Sequence, residues 1–148
     1  MFPFRRDKGG RLEYAIFRRT DIDAWQGIAG GGEDDETPIE AAIREAREEA
    51  GITAGAVLQL AVVGAVAVEH FRDRHLWDSA LREIPEYAFG VAADGAALSV
   101  SSEHREFVWL PVDEALTRLE WESNRTALRE LHRRLRAEQE LASSDHAG

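Results

Sequence analysis

Residues 30–52 read GGGEDDETPIEAAIREAREEAGI: three glycines, an acidic run, then glutamates crowded around REAREE. Pro38 suits the first turn of a helix, Thr37 reads as its N-cap, and Gly51 reads as its C-terminal stop. At about 100° per residue, Ile39, Ala42, Ile43, Ala46 and Ala50 share one side of that helix, which is expected to face the core. Glu45, Glu48 and Glu49 stand at i, i+3 and i+4, so they form one patch beside the apolar stripe, flanked by Arg44 and Arg47. Like charges at that spacing repel by roughly a few tenths of a kcal/mol per pair. Something must offset the repulsion.

A glutamate-rich helix taken at random is usually a solvated face, softened here by the two arginines. The alternative is that the carboxylates hold Mg²⁺ or Mn²⁺, hard cations that take oxygen ligands and phosphate partners. The loop in front favours the second reading. Gly30-Gly31-Gly32 permits backbone geometry closed to other residues and lets main-chain groups approach a cation or phosphate. A charged face alone has no need of such a loop.

The chain has 148 residues, 44% hydrophobic and 31% charged, the composition of an ordinary globular domain. It has no cysteine, which excludes disulfides, thiolate metal sites and cysteine nucleophiles. The longest apolar run, AVVGAVAV at residues 61–68, falls short of a membrane span, and MFPFRRDKGG has no signal-peptide stretch, so a cytoplasmic protein is expected. A formal net charge of −10 repels nucleic acid and anionic membranes, although a bound divalent cation reverses that logic locally. FPFRR and RLEYAIFRR read as two strands joined by Asp7-Lys8-Gly9-Gly10, and residues 25–29 as a short strand entering the glycines. Residues 56–71, 86–92 and 106–110 are further strands, VDEAL after Pro111 is a short helix, and residues 121–141 form a last helix. A single domain over 1–141 is expected, with 142–148 as a disordered tail. This order suggests an α/β sandwich, a mixed sheet covered by helices.

Gly30, five residues, Glu36, seven residues, Arg44-Glu45, a small apolar residue, one residue, Glu48-Glu49, one residue, Gly51 and apolar Ile52 together resemble the Nudix box, with every fixed position filled. Ala46 is smaller than the usual branched residue, and Asp35 stands where a glycine commonly precedes Glu36. The resemblance extends over residues 2–131. It implies a Nudix α/β/α sandwich that hydrolyses a nucleoside diphosphate linked to another group, or a related pyrophosphate. By the same resemblance Glu45 and Glu49 are the main metal ligands and Glu48 a further one. The Gly30 carbonyl is a backbone ligand, Arg44 orients the glutamates, and Glu36 braces the loop–helix junction. The general base varies in this family, and Glu103 in SSEHREFVWLP is the best candidate for outlying ligand or base, ahead of His104 and Glu106.

Three features bear on substrate: Trp25-Gln26 in WQGIAGG, the acid–histidine pair in SEHREFVW, and WESNRTAL opening the last helix. Together they resemble the bacterial dihydroneopterin triphosphate pyrophosphatases, which release pyrophosphate. That analogy places Arg18 and Ala29 at the substrate site, with Ser123 or Asn124 reaching it from the last helix. Glu69 and His70, ending the long strand, and Trp77 in RHLWD are further candidates for the pocket. Taken singly, Arg18 also reads as a surface residue, Ser123 as a helix N-cap, and the tryptophans as core. Diadenosine polyphosphates, nucleotide sugars and nucleoside triphosphates stay open as substrates of the same chemistry. A silent nucleotide-binding domain is the alternative of another class, and it typically lacks a box glutamate, whereas all are present here. The small basic cluster His132-Arg133-Arg134 sits on a late helix and makes no nucleic-acid groove.

Overall fold

The computed structural model describes residues 1–28, 35–53, 55–70 and 74–148. Strand β1 (Phe2–Arg6) returns as β2 (Leu12–Arg19) through the expected turn. Asp7 caps that turn, its Oδ1 accepting the amides of Gly9 and Arg11, each at 2.9 Å. Strand β3 (Trp25–Gln26) is shorter than the sequence suggests. The amide of Gly27 turns to Asn124 Oδ1 at 2.8 Å and that of Ile28 to the Met1 carbonyl at 2.8 Å, so neither donates to β2. Helix α1 (Pro38–Ala50) follows, then β4 (Val57–Ala67) and two short 3-10 turns. Strand β5 (Glu83–Ala92), β6 (His104–Leu110), α2 (Val112–Arg118) and α3 (Glu122–Asp145) complete the order.

The sheet has six strands: β2 pairs with β6 along one edge and with β1 and then β3 along the other, and β1 continues through β5 to β4. It is mixed: β1 runs parallel to β5, with Phe2 opposite Gly90, and the other named pairs are antiparallel. Side chains alternate along a strand, so β2 presents Tyr14 and Ile16 to one face and Ala15 and Phe17 to the other. All four are fully buried, which requires cover on both sides. One core joins Tyr14 and Ile16 to Leu119, Leu128 and Leu131 of the α2–α3 layer. The other joins Ala15 and Phe17 to Ala46, Ala50 and Ile52 of the α1 layer. The fold is an α/β/α sandwich.

Gly90 shows how tightly the α3 layer sits: a Cβ there would lie 2.5 Å from Leu131 Cδ1. Helix α3 continues to Asp145, beyond the expected stop at Leu141, and the Ser143 and Ser144 hydroxyls donate to the carbonyls of Gln139 and Glu140. Among the described residues no helix is long and apolar enough to cross a membrane.

Helix α1 begins with a capping box, Thr37 and Glu40 each bonding the other's backbone amide. It ends at Gly51 in the left-handed conformation, φ 70, with the amides of Gly51 and Ile52 donating to Arg47 and Ala46. The buried stripe differs from the expected one. Ile39 and Ile43 are 38% and 44% exposed, and Ala42, Ala46, Glu49 and Ala50 face inward instead. Three alanines let the helix lie close to the sheet, which leaves the bulkier isoleucines at its margin and draws Glu49 in. Gly51→Ala should cost about 1–2 kcal/mol, the penalty of a left-handed L-residue. Its Cβ would also meet Ser99 Oγ at 2.7 Å. Urea unfolding measures this directly.

Candidate active site

The helix α1 carboxylates are organised around one guanidinium. Arg44 Nε and Nη2 donate to the two oxygens of Glu36 at 2.8 and 3.1 Å, a bidentate pair. Its Nη1 donates to Glu45 Oε1 at 3.1 Å and Glu48 Oε2 at 3.0 Å. Glu36 thereby braces the start of the helix, and Arg44 joins Glu45 to Glu48. Gly30 and Ala29 lie outside the described residues.

Glu49 points the other way, into the margin of the α1 core, and is only 9% exposed. Its Oε2 accepts the Ser101 hydroxyl, and His104 Nδ1 faces the same oxygen at 3.8 Å. Glu103 belongs to the same loop as Ser101: its amide donates to Ser101 Oγ at 3.3 Å, and its carbonyl accepts from the Thr20 amide at 3.0 Å. The loop 101–104 thus sits against Glu49 because β6 pairs with β2 up to Arg19 and His104. Nothing local to residues 30–52 signals this, and Ser101 is the residue that reading the sequence misses.

The electrostatics follow from burial and crowding. Burial raises the Glu45 carboxyl above its ordinary value, with Arg44 opposing and Glu49 and Glu48 adding to the rise. Burial raises Glu103 as well, and the charge of Glu49 pushes it further. Burial lowers His104, against the pull of Glu49, so its ring is neutral at pH 7. Glu45, Glu48, Glu49 and Glu103 offer only oxygen donors with unfavourable mutual charge. That donor chemistry fits a hard divalent cation. Among the described residues no three acidic or histidine side chains are gathered at ligand distance. Arg44 binds Glu45 and Glu48 on one side, and Ser101 binds Glu49 on another.

The remaining candidates divide. Ser123 and Asn124 line a cleft of about 190 Å³ between the first turn of α3 and the sheet, together with Ile28, Gly64, Glu86 and Tyr87. Trp121, not Ser123, occupies the α3 cap position. Arg18 is elsewhere, donating to Asp23 at 2.8 Å and Glu106 at 2.9 Å. That pairing also occupies Glu106. Glu69 lies exposed in a 3-10 turn, away from the cleft lining, and the side chain of His70 is outside the description. Trp77 does not line the cleft, Trp25 packs on the α3-side core, and the guanidinium of Arg5 covers the Trp109 ring at 4.2 Å.

A sheet sandwiched between helices, with a carboxylate-rich helix held by an internal arginine, defines a hydrolase of the Nudix class. The NUDIX domain model matches residues 3–131, and the chain belongs to this family. It is therefore a hydrolase of small phosphorylated substrates, in a family whose members generally use a divalent metal. The dihydroneopterin triphosphate diphosphatase of Escherichia coli K12 is 34% identical over 117 residues, 75% of this chain and 76% of that protein. A Listeria monocytogenes structure described as a NUDIX hydrolase superposes with TM-score 0.83 at 34% identity, covering 93% of this chain and 92% of its own. The E. coli dihydroneopterin triphosphate pyrophosphohydrolase structure superposes with TM-score 0.68 at 24% identity over 86% of this chain and 88% of its own, a likeness of fold.

Proposed function

We propose that this chain is a Mg²⁺-dependent pyrophosphohydrolase of dihydroneopterin triphosphate, with Mn²⁺ as a substitute ion. The observation that carries the substrate is the 34% identity with the E. coli dihydroneopterin triphosphate diphosphatase, spread over most of both chains. In this reading Glu45, Glu48, Glu49 and Glu103, with the Gly30 carbonyl, hold the metal. When bound, the ion neutralises phosphate charge and lowers the pKa of water. Arg44 keeps Glu45 and Glu48 aligned. Glu103, whose carboxyl is pushed up by burial, takes the water's proton as general base. The water oxygen bonds to phosphorus as the bridging P–O bond breaks, and pyrophosphate leaves with the bridging electron pair. The cleft beside Ser123 and Asn124 takes the organic part, and the Glu86 carboxylate there is an acceptor for the amino and ring N–H donors of a pterin edge. Ala29 lies outside the described residues and stays a substrate-binding proposal on the resemblance alone. Arg18 would have to exchange Asp23 and Glu106 for substrate, so it is the weakest member of the set.

The test is a panel of dihydroneopterin triphosphate, nucleoside triphosphates, diadenosine polyphosphates and nucleotide sugars, assayed with and without Mg²⁺. The expected result is highest kcat/KM on dihydroneopterin triphosphate with pyrophosphate as product. A preference for another substrate would overturn the pterin reading, and no turnover of any would favour a silent binding domain.

Added Mg²⁺ should also stabilise the fold, by about 2.7 kcal/mol at a hundredfold excess over its dissociation constant. The effect is pH-dependent. Burial raises Glu45 and Glu103 above their ordinary carboxylate values in the folded chain, so between the ordinary and the raised values the native state binds more protons than the unfolded one. Metal-free stability therefore falls as pH rises through that window. Because protons compete for the same oxygens, the Mg²⁺-induced rise in Tm should be larger at pH 8 than at pH 5. Calorimetric scans at the two pH values check the order.

A further inference from the structure

His104 opens β6, yet its side chain is wholly shielded and its ring lies 5.2 Å from that of Phe17. Its Nδ1 makes no hydrogen bond, which is costly for a buried polar atom. At the other end of the ring, Gln26 Nε2 stands 3.2 Å from His104 Nε2. An amide NH₂ can only donate, so His104 Nε2 accepts, and the one N–H of the neutral ring sits on Nδ1. That N–H faces Glu49 Oε2 at 3.8 Å, longer than a hydrogen bond of about 2.9 Å. Ser101 donates to the same oxygen. Both groups thus address Oε2, and among the described residues no protein donor reaches Oε1.

We propose that Gln26, His104 and Ser101 are positioning residues for Glu49, holding Oε2 from β3 and the β6 loop so that Oε1 is presented to a divalent cation. The proposal rests on the reading of Glu49 as a metal ligand. It explains why a histidine occupies a sealed position with one nitrogen unpaired: the contact tightens when the carboxylate is loaded, as catalytic hydrogen bonds commonly do on complex formation. It also ties the strand leading into residues 29–34 to the helix carrying the acids. A metal-ligating carboxylate whose far oxygen is hydrogen-bonded is better aimed, and such partners govern affinity without touching the ion.

Two measurements test it. The ¹⁵N shifts of His104 in the metal-free protein should show the proton on Nδ1, and a proton on Nε2 would overturn the chain of donors. Then Mn²⁺ dissociation constants are compared for His104→Asn, whose amide places a donor near Nδ1, and His104→Leu, which fills the space without one. Leu should weaken Mn²⁺ binding about tenfold and Asn much less, since lost outer partners cost 10–100-fold in affinity. A purely packing role predicts the reverse order, because leucine keeps the core filled. Ser101→Ala, a half-buried change that spares the core, should weaken Mn²⁺ by several-fold and keeps the test open where a His104 variant fails to fold. Wild-type Mn²⁺ affinity in both His104→Leu and Ser101→Ala overturns the proposal. Wild-type affinity in Glu49→Gln would instead overturn the metal-ligand reading beneath it.

Discussion

Replacing Glu49 by glutamine should lower kcat by about a thousandfold and leave the fold intact. The size follows from what a ligating carboxylate supplies. Lewis-acid stabilisation of the transferring phosphoryl group is worth several kcal/mol, and each 1.36 kcal/mol is about tenfold in rate. The amide keeps the shape and still accepts the Ser101 hydroxyl that Glu49 now takes. It removes one negative charge from a set in which Glu45 and Glu103 are already pushed toward protonation by burial and, further, by the charge of Glu49. Metal-free stability should therefore be unchanged or slightly raised, which separates the loss of turnover from unfolding. Steady-state kinetics with saturating Mg²⁺, beside thermal unfolding without it, makes the distinction. Undiminished turnover would remove Glu49 from the site.

Arg44→Ala acts in the opposite sense, on stability first. Arg44 is only 18% exposed and donates to Glu36, Glu45 and Glu48 together. Without it the three carboxylates face one another in a half-shielded setting. Breaking a fully buried pair costs about 3–5 kcal/mol, and partial exposure reduces this to about 2–3 kcal/mol here. The loss should shrink when Mg²⁺ is present, because the ion compensates the same charges. Lysine should rescue only in part, since it keeps the charge but not the bidentate fork to Glu36. Urea unfolding of the three proteins, with and without Mg²⁺, reads all of this. A change within 0.5 kcal/mol for Arg44→Ala would show the arginine to be an ornament of a solvated face.

Much of helix α1 is written locally, and it is legible for that reason. Thr37, Pro38 and Gly51 act through contacts a few residues away, and all three stand where the caps require them. The i, i+4 relation between Arg44 and Glu48 is likewise a property of the helix alone. The expectation for Ile39 and Ile43 fails because periodicity gives a face but not its depth. How close a helix lies to its sheet depends on Ala42, Ala46 and the strands beneath, and there small side chains bring Glu49 inward. Ser101 and Glu49 meet across 52 positions of sequence. Only the pairing of β6 with β2 makes them neighbours, and no spacing encodes it. The short β3 follows from long-range bonds, Gly27 to Asn124 and Ile28 to Met1, that no local pattern announces. The cleft beside Ser123 and Asn124 is assembled from four elements, so its lining emerges from topology rather than from a motif.

Acids of α1 that form a metal site, and not a solvated face, should take up a divalent ion directly. The direct measurement is a Mn²⁺ titration of the metal-free protein followed by the paramagnetic signal of the free ion. It is run on the wild type and on the doubly substituted Glu45→Gln, Glu49→Gln protein, both confirmed as folded. The wild type is expected to remove Mn²⁺ from solution with a defined stoichiometry and the double variant to leave it free. Identical titration curves for the two proteins would contradict it.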